Sequence, residues 1–556
     1  MLFNEVAPEA LEGPLTVSPA RWAFQPRQLR IVCIGAGFSG LTLAYKLQHE
    51  NPLSFVDWVV YEKNRDVGGT WFENIYPGVG CDVPAHSYVF PFAPNPEWSQ
   101  CYAKGDEIEQ YILDTADRFG LKERVVLNTR LEKSVWNEET GKWALQLRRD
   151  DVVIHDEADV LINAGGILNR WQMPDIPGLG DFKGRVIHTA AWDKTYDWTD
   201  KRVAVIGNGS SGLQVVPALQ PRAAKLVNFI RQPTWVSMSL CPDVTRDGKG
   251  TNFAYTEEEK KTFREDPAAF LKYRKRVENS DRVNTVYRLM LTGSELNGML
   301  SAAVDDLMRS KLAGNPELID RLIPQTEVGC RRLSPGDGYL EALQESNAGW
   351  CFDKIECITP TGIRTSDGAE HEFDLIVCAT GFETSFVPGW EMMGRDGRTP
   401  AKDWAETPQA YFSLCAGGMP NYFVFAGPNC PIGHGSVPQM LGWSVDYALK
   451  WVEKMAKEDI KSVCVKDTAV QQYNRHAQAT LNNTVWSTGC AAWYNNGKAV
   501  TAMYPGSVLH FKESISNIRG EDFDIKYATS DPFGYLGNGE LQWERDEGVD
   551  LGFYLK

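Results

Sequence analysis

Two hexapeptides, Gly35-Ala36-Gly37-Phe38-Ser39-Gly40 and Gly207-Asn208-Gly209-Ser210-Ser211-Gly212, carry glycine at their first, third and sixth positions. That spacing suits a backbone that must turn sharply, approach a pyrophosphate and then let a helix pack close to a strand. The three glycines serve those needs in that order. Amides at the helix start, and its positive dipole end, would hold the phosphates. Each hexapeptide follows a short apolar run, Leu29 to Ile34 or Lys201 to Ile206. Each precedes apolar residues at helical spacing, Leu41 to Leu47 or Leu213 to Leu219. Two dinucleotide sites are expected.

The residue that ends the following strand differs between them. Trp58-Val59-Val60-Tyr61 ends in Glu62, whose carboxylate can accept both ribose hydroxyls and repels a 2′-phosphate. That suits FAD or NAD. Leu226-Val227-Asn228-Phe229-Ile230 ends in Arg231, whose guanidinium can grip a 2′-phosphate through two parallel hydrogen bonds, which favours NADPH. A solvated side chain at a strand end is the plainer alternative for each.

Positioning two such sites takes two α/β units. Asp159 to Gly166 and Asp374 to Phe382 are similar buried strands ending in small residues, and read as the places where the chain leaves and rejoins the first unit. The expected fold is α/β with two Rossmann-like dinucleotide-binding domains, the NADP domain inserted in a discontinuous FAD domain. An arm would occupy 1–28, the FAD domain 29–190 and 371–556, and the NADP domain 191–370. Tyr255 to Leu322 is rich in Glu, Lys, Arg and Leu, which suggests a helical subdomain over about 245–325.

Composition narrows the function classes. A chain of 556 residues with 43% hydrophobic and 23% charged content reads as two or three globular domains. A net charge of −16 disfavours a nucleic-acid partner. The 12 cysteines form no CxxC, which excludes that kind of dithiol relay, and most are expected as buried small hydrophobes or idle thiols. The eight histidines form no HxH or HxxxH pair, so no metal site is expected. No apolar run approaches membrane-spanning length, and the acidic, proline-bearing N-terminus is unlike a signal peptide, so the expected location is cytoplasmic. Oligomeric state is left open.

Two longer strings add a resemblance. Phe182-Lys183-Gly184…His188…Trp192, followed by Asp193, and Gly68-Gly69-Thr70-Trp71…Tyr76-Pro77-Gly78…Asp82 stand in order around the two glycine loops. Together they resemble the fingerprints of type I Baeyer–Villiger monooxygenases, from about residue 30 to the end of the chain. Gly329-Cys330-Arg331-Arg332-Leu333 is similar to the family's basic pair, and Ala491-Ala492-Trp493-Tyr494 to its C-terminal segment. The resemblance implies Arg332 as the active-site cation beside the flavin and Asp82 as its carboxylate partner. It places Thr70, Trp71 and Asp82 at the cofactor, Arg331 at the cofactor phosphate and Trp493 at the nicotinamide nucleotide.

It further implies FAD, NADPH, O2 and a ketone, with one oxygen atom inserted beside the carbonyl through a flavin C4a-peroxide to give an ester or lactone. A flavin monooxygenase acting on amine or sulfide heteroatoms is the alternative, and a flavin protein without turnover is a third reading. For His188 a link between domains is favoured over proton transfer. Trp443, Trp486, Gly433 and Gly435 are expected around an apolar substrate.

Overall fold

The first sheet of the computed structural model is five parallel strands in the order Tyr422–Val424, Val160–Asn163, Leu29–Ile34, Val56–Tyr61 and Val125–Val126. The second is also parallel, in the order Ala348–Cys351, Lys225–Phe229, Arg202–Ile206, Leu375–Cys378 and Arg185–His188. The structure describes residues 18–239, 241–280 and 286–555. Strands buried on both faces require continuous apolar runs, and Ile31, Val32, Cys33, Val203, Ala204 and Val205 are all fully buried.

In each sheet the strand order reverses next to the strand that precedes a glycine loop. The crevice at such a reversal is where open α/β sheets bind ligands. The boundaries expected near 190 and 370 fall inside the second sheet, because Arg185–His188 and Leu375–Cys378 are two of its strands. Short buried runs look alike whichever sheet they join, so their composition does not show the membership.

A further sheet, which the sequence reading did not foresee, pairs Thr129–Asn137, Lys142–Arg149 and Val152–Ala158 in antiparallel fashion, with Glu391–Met393 on its edge. Its Trp136 and Trp143 cover the outer face of the first sheet. The arm expected over 1–28 lies outside the described residues as far as residue 17. Beyond that, Ala23 and Phe24 donate backbone hydrogen bonds to Glu540 and Tyr535 of the C-terminal segment at 2.9 and 2.8 Å.

The segment from Tyr255 to Leu322 contains helices Glu257–Glu265, Pro267–Asn279, Val286–Leu289, Glu295–Lys311 and Pro316–Leu322. Thr256, Asp266, Ser294 and Asn315 each accept a backbone N–H at a helix start. Tyr255, Phe263 and Tyr273 set their rings edge-on around buried His86 on the first core. Met308, Leu312, Leu318 and Leu322 join the second core. Val286, Met290, Leu300 and Val304 join a third cluster with Trp486, Tyr494 and Met503. The segment therefore spans both sheets and walls a cavity. No helix among the described residues is long and apolar enough to cross a membrane.

Candidate active site

The two glycine loops are built alike. Gly35 has φ +107°, and a Cβ there would lie 2.7 Å from the Ala164 carbonyl oxygen; Gly207 has φ +111°, with Ala379 oxygen at 2.5 Å. Ala164 and Ala379 each follow the strand across the order reversal, which explains the small residues read at both strand ends. Gly40 and Gly212 let their helices close on the strands, since a Cβ would meet the Gly35 and Gly207 carbonyl oxygens at 2.0 and 2.4 Å. Gly209 has nothing within 4 Å of its Cβ direction, and Gly37 faces only the Gly68-Gly69 turn there. Helices Phe38–Tyr45 and Ser210–Leu219 begin without a side-chain cap, so their first amides face these open sides.

Glu62 is buried and accepts from the Ala36 and Asn64 amides at 2.7 and 2.9 Å. Burial raises its pKa while the two amides oppose that shift. A carboxylate has about four lone-pair sites, so two acceptor positions remain. In the second unit the strand Lys225–Phe229 leads to Arg231, which is exposed. Arg331 stands near it: burial and then the like charge of Arg231 lower its pKa. Arg331 donates to Gln232 Oε1 at 2.6 Å and to the Ala491 carbonyl at 2.9 Å. The two guanidiniums are thus within electrostatic reach of each other.

The string from Gly68 to Asp82 is the strap between the loops. Gly68 donates to the Ala36 carbonyl at 3.1 Å. Further along, Tyr76 donates to Gln214 Oε1 at 2.7 Å, and Gln214 donates back to the Gly80 carbonyl at 3.0 Å. A Cβ on Gly78 would be 2.4 Å from the Gln214 carbonyl oxygen. Ser211 lies against Tyr76, and Ser210 shares a 2.6 Å hydroxyl contact with Ser334. Within the string Thr70 is exposed, whereas Trp71 is buried and donates to the Tyr88 hydroxyl at 3.2 Å, a packing contact.

The strap ends at Asp82, which accepts two hydrogen bonds from Arg332, Nε to Oδ2 at 2.7 Å and Nη2 to Oδ1 at 2.8 Å. This fork geometry fixes the guanidinium plane, and the Asp82 charge drives the Arg332 pKa up. The Arg332 side chain keeps 30% of its surface exposed. It faces a cavity of about 570 Å³, open mouth included, whose walls include Met238, Met290, Leu333, Trp486 and Met503. Arg331, Arg332 and Tyr494 bring polar groups to it.

Residues 28–266 match the model of the family described as flavin-binding monooxygenase-like. The chain is 59% identical over 537 residues to the FAD-binding monooxygenase tazF of Aspergillus terreus, covering 96% of this chain and 95% of that one. It is 33% identical over 535 residues to a Baeyer-Villiger monooxygenase of Pseudomonas aeruginosa, covering 94% and 95%. Among solved structures, OTEMO in complex with FAD and NADP superposes with TM-score 0.78 at 25% identity, over 90% of this chain and 99% of that one. The chain belongs to the type I Baeyer–Villiger monooxygenase family.

In this family member the string around His188 shapes the second unit. His188 is fully buried, accepts the Ala190 amide at 3.1 Å, and stacks at 4.9 Å on Trp171 with Phe382 edge-on. Trp171 and Phe382 lie on the two connections between the sheets. Trp192 packs in the second core against Trp198, and Asp193 caps the turn at Thr195 while pairing with Arg185 at 2.8 Å.

Cys330 and Cys490 form a disulfide, Cα atoms 6.2 Å apart, which the sequence reading did not foresee. They are 160 positions apart, a separation in which no spacing rule operates. Trp443 is not among the cavity residues; it packs on the first core with Lys512 over its ring. Helix Val437–Lys457 carries it to that side. Gly433 and Trp486 do line the cavity, and Gly435 does not. The reading missed Met238, Met290, Met503 and Tyr494 as cavity residues. Val286, Leu289 and Met290, at i, i+3 and i+4, were the one local signal.

Proposed function

We propose that this flavoprotein is an NADPH- and O2-dependent ketone monooxygenase. Ketone, O2, NADPH and a proton give ester or lactone, NADP⁺ and water. The observation that carries the reading is the forked Arg332–Asp82 pair, held by the strap between two dinucleotide loops and open to an apolar cavity. FAD would be held by Gly35, Gly37, Gly40, Glu62 and the Gly68-Gly69 turn. NADPH would be held by Gly207, Gly209, Ser210, Ser211, Gly212, Arg231 and Arg331, with Trp493 at the nicotinamide nucleotide. Bound flavin, reduced by NADPH, supplies the oxygen atom taken from O2.

The chain's own residues then do three things. Arg332 keeps its charge at any working pH, and after the fork with Asp82 it still has N–H donors for negative charge growing on the ketone oxygen. Asp82 holds that guanidinium in one plane, so little reorganisation accompanies reaction. The Met, Leu and Trp walls keep water from the reacting atoms and strengthen each of these electrostatic contacts. Arg231 and Arg331 together favour the 2′-phosphate of NADPH over NADH.

The test is product analysis by mass spectrometry after incubation with NADPH, air and a panel of cyclic and linear ketones plus one sulfide. Esters or lactones are expected. Sulfoxide with no ester from any ketone would assign the protein to heteroatom oxidation.

A further inference from the structure

Tyr494 is buried, 2% exposed, and lines the same cavity as Arg332. Its hydroxyl lies against the Arg332 guanidinium. An arginine side chain has donors and no acceptor, so the phenolic oxygen accepts in this contact. The hydrogen of the phenol is therefore free for another partner. Because Tyr494 lines the cavity, a bound ligand can be that partner. Tyr76, Tyr111 and Tyr339, also buried, each donate at 2.7 Å to a fixed protein oxygen.

The ring is also held in place. The Tyr494 carbonyl accepts from the Thr501 and Ala502 amides at 2.8 and 3.2 Å, and Trp493 packs 4.8 Å from the ring. The preceding residues are tied to the Arg332 segment by the Cys330–Cys490 disulfide and by Arg331 on the Ala491 carbonyl. A donor fixed by its surroundings, beside a fixed cation and facing an apolar cavity, is arranged for one polar acceptor on an otherwise apolar ligand.

We propose that Tyr494 donates its phenolic hydrogen to the carbonyl oxygen of the substrate, as a second donor beside Arg332. This rests on the ketone reading above. The phenol acts as a donor and keeps its proton, so no proton has to be returned at the end of the cycle. Burial pushes its pKa up to about 12 against the opposing pull of Arg332, which keeps it protonated at working pH.

The test compares Tyr494→Phe with the wild type on a ketone, on a sulfide and in calorimetric binding of an unreactive amide of the same shape as the ketone. A sulfide has no carbonyl, so its oxidation reports folding and cofactor loading without using the hydroxyl. Ester formation should fall about 10²-fold in kcat, at least about 10-fold more than sulfoxide formation falls, with amide affinity weakened about 3–10-fold. Ester made by the variant at the wild-type rate, equal losses on ketone and sulfide, or unchanged amide affinity would each overturn the inference. Failure of the ketone reading itself shows separately, as no ester from the wild type.

Discussion

Arg332 and Asp82 are 250 positions apart, yet they form a two-pronged ion pair at 2.7 and 2.8 Å that joins the strap to the cavity wall. If this guanidinium stabilises charge on the reacting carbonyl, Arg332→Ala should lower ester formation by about 10²–10³ in kcat. Arg332→Lys should remain well below wild type, because a lysine cannot reproduce the fork. Asp82→Ala should lower kcat as well, since the cation then loses its fixed plane. Steady-state product assays at saturating NADPH measure all three.

Arg231 and Arg331 make a separate prediction. Removing either guanidinium should raise KM for NADPH about 10–100-fold, the worth of a charge-assisted hydrogen bond. KM for NADH should scarcely move. Parallel titrations of the two nucleotides with the Arg231→Ala and Arg331→Ala variants check this, and an equal effect on both would remove the 2′-phosphate assignment.

Gly40 tests the first loop. A Cβ there would meet the Gly35 carbonyl oxygen at 2.0 Å, which is backbone and cannot swing aside. Gly40→Ala should therefore purify with much less flavin than wild type, read from the ratio of visible to ultraviolet absorbance. Circular dichroism should show the second unit still folded.

Glu109 lies under the Gly68 turn, its Oε2 2.2 Å from where a Gly68 Cβ would sit. Burial raises its pKa to about 7, with repulsion from Asp66 adding to the shift and Lys122 opposing it. The folded value exceeds the unfolded value of about 4.3, so the native state binds more protons between those two pH values. Stability contributed by this group falls as pH rises through that window, and the penalty is complete above pH 7. Glu109→Gln should match the wild type near pH 4.5 and exceed it by roughly 1–2 kcal/mol at pH 8, after discounting for partial exposure. Thermal unfolding at the two pH values measures it, and a difference independent of pH would contradict it.

Legibility in the sequence followed the range over which each constraint acts. The tight glycine turns and the strands that end before Glu62 and Arg231 could be read because such a strand–turn–helix–strand unit is built within some thirty consecutive residues. The strap was visible as a string, but its reason was not. Tyr76, Gly78 and Gly80 matter because Gln214 lies against them, and that contact is made only by folding.

Other features depended on which neighbours the fold supplies. The sheet membership of Arg185–His188 and Leu375–Cys378 is one such case, and the Cys330–Cys490 link is another. Trp443 and Trp486 are alike as residues, and only helix orientation sends one to the core and the other to the cavity. Tyr494 looked like the neighbour of a more interesting tryptophan. Its position against Arg332 depends on a loop crossing that no local pattern encodes.

The most direct test of the central claim is to run the reaction under 18O2 with a ketone that the enzyme accepts, and to weigh the product. The account predicts an ester or lactone two mass units heavier than its unlabelled form, with one labelled atom in the ring or chain position and NADPH consumed in equal amount. An ester with no label would mean that the inserted oxygen does not come from O2. NADPH consumed to H2O2 or sulfoxide alone, with no labelled ester from any ketone, would contradict the account.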